Sequence, residues 1–128
     1  MISVARARTQ ILAADGVWVF SPEYNHGIPG ALKNLLDWLS RPLVPGQRET
    51  TAAAGKPAAL SGAAGKSAAS YALADLRALL SLMRMRVLPR ETGVSLPADA
   101  FAGGTYAVPE ETLRALRLQA DEFLRLIG

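Results

Sequence analysis

The sequence predicts an α/β fold built on a parallel sheet, and three observations carry that prediction. Short apolar runs bounded by turn residues alternate with longer segments of helical periodicity. The run Val17-Trp18-Val19-Phe20 has no polar interruption, as expected of a strand covered on both faces. The first two runs lead through glycine-containing turns into helices, the arrangement of right-handed crossover units. At 128 residues, half of them apolar, the chain suits one domain with one core, and it shows no internal repeat.

Each element has a local reason. Residues 3–14 carry Val4, Ala7, Ile11 and Leu12 at helical spacing. Asp15-Gly16 breaks that helix, with Gly16 placed to serve as its C-cap. After the strand at Val17–Phe20 comes a polar loop rich in glycine and proline, Ser21 to Gly30. A helix follows from about Pro29, because a proline loses nothing at a first helical turn. Leu32, Leu35, Leu36 and Leu39 form its apolar face, and Arg41-Pro42 ends it. Residues 42–56, with Gly46, Gly55 and the tract Thr50–Ala54, read as an exposed loop. Pro57–Ser61 is a second strand, Gly62–Ser67 a second turn, and Ser67–Met85 a helix with Leu73, Leu76, Leu80 and Met83 inward. Arg86-Val87-Leu88 begins a third strand. Pro109 opens a last helix with Leu113, Leu116, Phe123 and Ile127 inward, and Glu110 and Glu111 lie in its first turn, where the helix dipole favours them.

Composition narrows the function. A net charge of +3 spread along the chain favours a small anionic molecule such as a nucleotide and gives no argument for nucleic acid. With no cysteine there is no disulfide, thiolate catalysis or cysteine-based metal site, and the lone His26 argues against any metal site. No run approaches the ~18 apolar residues of a membrane span. The first residues lack the core and cleavage site of a signal peptide, so the expected location is the cytoplasm.

In such sheets ligands bind at the carboxyl ends of strands, in loops that lead into helices. The loop Ser21-Pro22-Glu23-Tyr24-Asn25-His26-Gly27-Ile28-Pro29-Gly30 is of that kind. Its glycines and prolines equip it to present N–H and carbonyl groups to a flat polar heterocycle, or simply to shape the turn. Residues alone leave both readings open.

The segment SPEYNHGIPGALKNLLDWLSR, residues 21–41, closely resembles the most distinctive segment of the NADPH-dependent FMN reductase family, which includes quinone, azo-dye and chromate reductases. Pro22, Glu23, Tyr24, Asn25, Pro29, Gly30, Leu32, Lys33, Asn34, Asp37 and Trp38 match at unbroken spacing. Lys56-Pro57, the turn at Ser61-Gly62, Leu76-Arg77 and Leu88-Pro89 agree downstream. The resemblance implies a flavodoxin-like, three-layer parallel sheet forming a single partial domain over residues 1–128, with the first strand–helix–strand portion missing. It implies FMN as cofactor and NADPH or NADH as co-substrate. Electrons would pass to a small-molecule acceptor: a quinone, an azo compound, a metal oxyanion or free flavin. It also implies a homodimer or homotetramer.

Carried onto this chain, the resemblance implies that Pro22, Glu23, Tyr24 and Asn25 line the isoalloxazine, the backbone of Glu23, Tyr24 and Asn25 bonding its polar edge. Ser61, Gly62 and Gly65 belong to a second flavin loop, less rich in glycine than is usual in the family. Trp38, Leu32 and Leu36 are expected in the core, and Lys33 and Asp37 as a solvent-facing pair one turn apart. No residue is assigned as a catalytic acid or base, since the flavin does the chemistry, and His26 is expected to be incidental. Gly65-Lys66-Ser67 is not a P-loop, because the position five residues before Gly65 is Leu60 rather than glycine. The family's phosphate-binding loop, Gly-Ser-x-Arg-x-x-Ser-x-Asn, has no counterpart in MISVARARTQILAADG. Its loss is expected to leave strand Val17–Phe20 with an unpaired edge. The alternative is a non-catalytic fragment or interaction module of the same fold that cannot retain FMN.

Overall fold

A computed structural model describes residues 3–128. Helix α1 (Val4–Ala13) leads to strand β1 (Val17–Pro22), α2 (Gly30–Leu39), β2 (Pro57–Ala64), α3 (Ser70–Leu82), β3 (Arg86–Ser95) and α4 (Glu110–Ile127). The three strands form one parallel sheet in the order β1-β2-β3.

The central strand explains the layers. Its side chains alternate between faces, so Ala58 and Leu60 enter one core and Ala59 another. The larger core joins Leu60 to Leu73, Leu76 and Leu80 of α3, Leu36 and Leu39 of α2, and Ala7 of α1. The smaller core, on the opposite face, joins Ala59 and Leu88 to Phe123 of α4, with Trp18 packed against it. Helices therefore cover both faces of the sheet, as the α/β reading requires.

Several expectations are corrected. Gly16 does not cap α1; Ala14 occupies that position. A Cβ at 16 would lie 2.8 Å from the tip of the Phe123 ring and 3.0 Å from Ile127 Cδ1, so side chains of α4 pack directly onto this backbone. Strand β1 is not covered on both faces, and Phe20 is 64% exposed. The double coverage belongs to β2, buried from Pro57 to Gly62. Trp38 is 48% exposed on the outer side of α2, and Leu35 is also exposed, so the core face of that helix is carried by Leu36 and Leu39. The segment between α2 and β2 is not all exposed, for Ala52 and Ala53 are buried in the larger core. Helix α3 starts at Ser70, not Ser67.

Strand β3 is longer than its apolar start suggested. Its register with β2 shifts between Ala58, opposite Val87, and Leu60, opposite Glu91, so Pro89 falls within an irregularity where its missing N–H breaks no ladder bond. Arg77 of α3 takes up the carbonyls released there. It donates to Leu88 O at 3.1 Å and Pro89 O at 3.2 Å, and pairs with the Glu91 carboxylate at 3.0 Å.

Candidate functional site

Two loops meet at the carboxyl-terminal edge of the sheet. The first leaves β1 as a tight turn in which the Tyr24 N–H donates to Gly27 O at 2.9 Å and the Gly27 N–H donates to Tyr24 O at 3.0 Å. Its central residues, Asn25 and His26, have φ of 53° and 61°. Both are of types that tolerate the left-handed region, the pattern of a type I′ turn. Tyr24 is 61% exposed.

The second loop leaves β2. Ala68 and Ala69 have φ of 49° and 62°. Alanine has no side chain that compensates there, at about 1 kcal/mol each. The turn survives because it is packed on both sides. A Cβ at Gly93 would collide with Ala68 O, so β3 gives way to the loop. A Cβ at Gly62 would lie 2.6 Å from Ser21 O and 2.9 Å from the Ala69 Cβ, so β2 approaches β1 and the start of α3 without a side chain. Gly65 differs, since nothing lies within 4 Å of a Cβ built on it.

Glu23 ties the two loops together. Its carboxylate accepts from Ser67 Oγ and, at 2.9 Å, from the Ala72 N–H in the first turn of α3. Helix α3 has Ala69 at its N-cap and no side-chain cap of its own, so Glu23 satisfies an orphan donor from 49 residues away. The Ser67 hydroxyl first and the Ala72 N–H second hold the Glu23 carboxyl below its ordinary range. The His26 ring adds a second tie by stacking on Tyr71 with centroids 4.0 Å apart and planes 18° apart.

An apolar cleft of about 350 Å³ opens at this edge between the strand ends and α4. Pro22, Ser61 and Gly62 stand on its wall with Phe20, Val94 and Leu116. Glu23, Tyr24, Asn25 and Gly65 are outside its lining, on the loops above it. The Ser61 hydroxyl is engaged internally: it accepts from Trp18 Nε1 at 2.9 Å and donates to Gln119 Oε1 at 2.9 Å. Gln119, fully buried on α4, also donates to Leu60 O at 2.7 Å and Arg90 O at 3.2 Å. Lys33 and Asp37 form the expected exposed pair at 2.8 Å.

A flat flavin ring needs N–H donors for its polar edge and open space along its plane. The N–H groups of Asn25, His26, Gly65 and Lys66 have no hydrogen-bond partner among the described residues, and the space at Gly65 is open. Those loops therefore fit the ring of FMN. Sequence reasoning missed Ser67, Tyr71, Gly93 and Gln119. Only Gln119 left a signal, as a polar residue in the apolar stripe of Leu116 and Phe123.

The parallel sheet with helices on both faces and paired βα loops at its carboxyl edge defines a flavodoxin-like domain. A flavoenzyme NAD(P)H:(acceptor) oxidoreductase from Paracoccus denitrificans superposes with a TM-score of 0.79 at 31% identity, over 97% of this chain and 66% of that one. The model of the NADPH-dependent FMN reductase family matches residues 2–98, and the chain belongs to that family. An NAD(P)H-dependent FMN reductase of Pseudomonas aeruginosa is 41% identical over 101 residues, covering 77% of this chain and 51% of that protein. A quinone reductase of Escherichia coli K12 is 41% identical over 80 residues, covering 59% and 39%. The chain thus spans about half the length of the Pseudomonas relative. Among the described residues no helix is long and apolar enough to cross a membrane.

Proposed function

We propose that this chain carries the ring-holding loops of an NAD(P)H-dependent FMN reductase that serves a small-molecule acceptor. The observation that carries the reading is the pair of loops fixed to each other at the sheet's carboxyl edge with four backbone N–H groups left open. Bound FMN would supply the redox chemistry, taking a hydride from NADPH or NADH and passing electrons on. The protein's part is to hold and orient the ring. Asn25, His26, Gly65 and Lys66 offer N–H donors, Tyr24 lies beside them on the exposed turn, and Pro22, Ser61 and Gly62 wall the apolar cleft below. No side chain is assigned a proton-transfer role.

A quinone is the favoured acceptor because a relative bears that name. An azo compound, a metal oxyanion and free flavin are the other acceptors of this reading. It also includes a homodimer or homotetramer in the cytoplasm, and neither nucleic acid nor membrane as partner.

The test is FMN titration of the purified protein, followed by NAD(P)H oxidation with and without a quinone. Replacing both Tyr24 and Asn25 by alanine should weaken FMN binding at least tenfold, about the effect of one lost ligand contact. Equal FMN affinity and equal NADH and NADPH oxidation in the double variant would remove this loop from the function.

A further inference from the structure

We propose that Glu23 is a positioning residue of the flavin site: its carboxylate, received by Ser67 Oγ and the Ala72 N–H, holds the Tyr24–Gly27 turn against the second loop so that both present their backbone to one ring. The proposal rests on the flavin reading above and adds to it the side chain that aligns the two loops.

The geometry gives the carboxylate this task. Four of the five non-glycine residues with positive φ among the described residues lie in these two loops: Asn25, His26, Ala68 and Ala69. Backbone held in sparsely populated regions persists only where its surroundings over-determine it. Packing against Gly62 and Gly93 fixes the second loop to the sheet. The first loop is anchored at its ends, by buried Ser21 and by Ile28 against the larger core, while the bonds of the Tyr24–Gly27 turn between them are internal. What joins it to the second loop is the Glu23 carboxylate, with the His26–Tyr71 stack beside it. The open donors Asn25 N–H and His26 N–H directly follow Glu23 and Tyr24 in sequence, and the open donors Gly65 N–H and Lys66 N–H directly precede Ser67. A change in the Glu23–Ser67 distance therefore shifts one donor pair relative to the other.

The charge matters as well as the shape. The acceptor sits at the first turn of α3, whose dipole favours an anion and whose N-cap, Ala69, offers no side-chain acceptor. Glutamine keeps the length and one acceptor oxygen but loses the charge, and alanine loses both.

The experiment compares the full chain with Glu23→Gln, Glu23→Ala and Ser67→Ala. FMN affinity, the visible absorption band shape of the bound flavin, and thermal stability are measured on the same samples. Each lost charge-assisted bond should weaken FMN binding about tenfold. The expected order is Ser67→Ala and Glu23→Gln about tenfold weaker, and Glu23→Ala about a hundredfold weaker. The band shape of residual bound flavin should also shift, because the ring's donors are displaced. Lower stability with unchanged FMN affinity and band shape, measured well below the unfolding temperature, would reduce Glu23 to a helix cap and overturn the proposal. Wild-type values in every measurement would overturn it too. Should Glu23→Ala fail to fold, Glu23→Gln and Ser67→Ala decide alone. A wild-type protein that binds no FMN refutes the flavin reading. A wild type that binds, alongside a Glu23→Gln that binds equally, refutes only the positioning role.

Discussion

Gly62 lies near the end of β2 and Gly65 just beyond it, and their surroundings separate two reasons for a glycine. At Gly62 the reason is internal, since a Cβ would meet Ser21 O at 2.6 Å and the Ala69 Cβ at 2.9 Å. The cost of a larger residue there falls first on the fold. Gly62→Ala should destabilise by about 1–3 kcal/mol, as overpacking does, readable in urea unfolding; a change under about 0.5 kcal/mol would show that the strands part easily. At Gly65 a Cβ meets nothing. Gly65→Ala should therefore leave stability within about 0.5 kcal/mol, the usual range for surface changes. It should weaken FMN binding if the ring lies close to that backbone. Unaltered FMN affinity in Gly65→Val would place the ring elsewhere along the loop.

At the scale of the element, α4 and α3 are both held by polar groups set into apolar surroundings. Gln119 satisfies Leu60 O, Arg90 O and the Ser61 hydroxyl at once, joining α4 to β2 and β3. Gln119→Leu preserves the volume but leaves those groups unpaired in a buried place. The expected loss is about 1–3 kcal/mol, measured by chemical denaturation; a neutral result would mean that water replaces the amide. The start of α3 makes a pH prediction. Glu23 is faced by the Ser67 hydroxyl, by the Tyr71 and Ala72 N–H groups, and by His26 from its own turn, and its pKa is lowered from an ordinary 4.5. A carboxyl depressed in the folded state adds stability that is present above the unfolded pKa and is lost as pH falls through the folded one. The unfolding temperature should therefore drop below about pH 4.5, and drop less steeply in Glu23→Gln. Glu122, lowered by Arg90 in the same direction, keeps part of that acid limb in the variant. Parallel acid limbs in the two proteins would contradict the assignment.

The whole molecule is asymmetric about its sheet. Strand β2 is covered on both faces and paired on both edges. Strand β1 pairs with β2 alone among the described residues, and it carries the exposed Phe20 stacked on Trp18 at 5.0 Å. An unpaired strand edge beside an exposed aromatic ring is a template for association. Concentration-dependent self-association is expected in sedimentation velocity. Phe20→Lys should weaken it about tenfold or more, the effect of losing an aromatic contact, with the unfolding temperature nearly unchanged. Association that ignores Phe20 would direct attention to another face.

What the sequence determined by itself was the period of each segment and the identity of its most distinctive loop. The helical spacing of Leu73, Leu76 and Leu80, the Lys33–Asp37 pair and the acidic first turn of α4 all appear in the structure as read, because each depends on neighbours within a turn or two. The matches from Pro22 to Trp38 were enough to indicate the family, which the comparisons show. Tertiary structure decided which residues meet. Gly16 answers to Phe123, Gly62 to Ser21 and Ala69, and Gly93 to Ala68. Trp38 faces outward although it lies on an amphipathic helix, and Ala52 and Ala53 enter the core from what reads as a loop. The site follows the same division. The position of its candidate loops, each between a strand and a helix, was legible in the sequence, while their glycines and prolines alone left a ligand role open. The Glu23 carboxylate on α3 and the Ser61 hydroxyl on Gln119 were not legible, because those bonds span 49 and 58 residues and no local pattern encodes which distant donor a polar group will find.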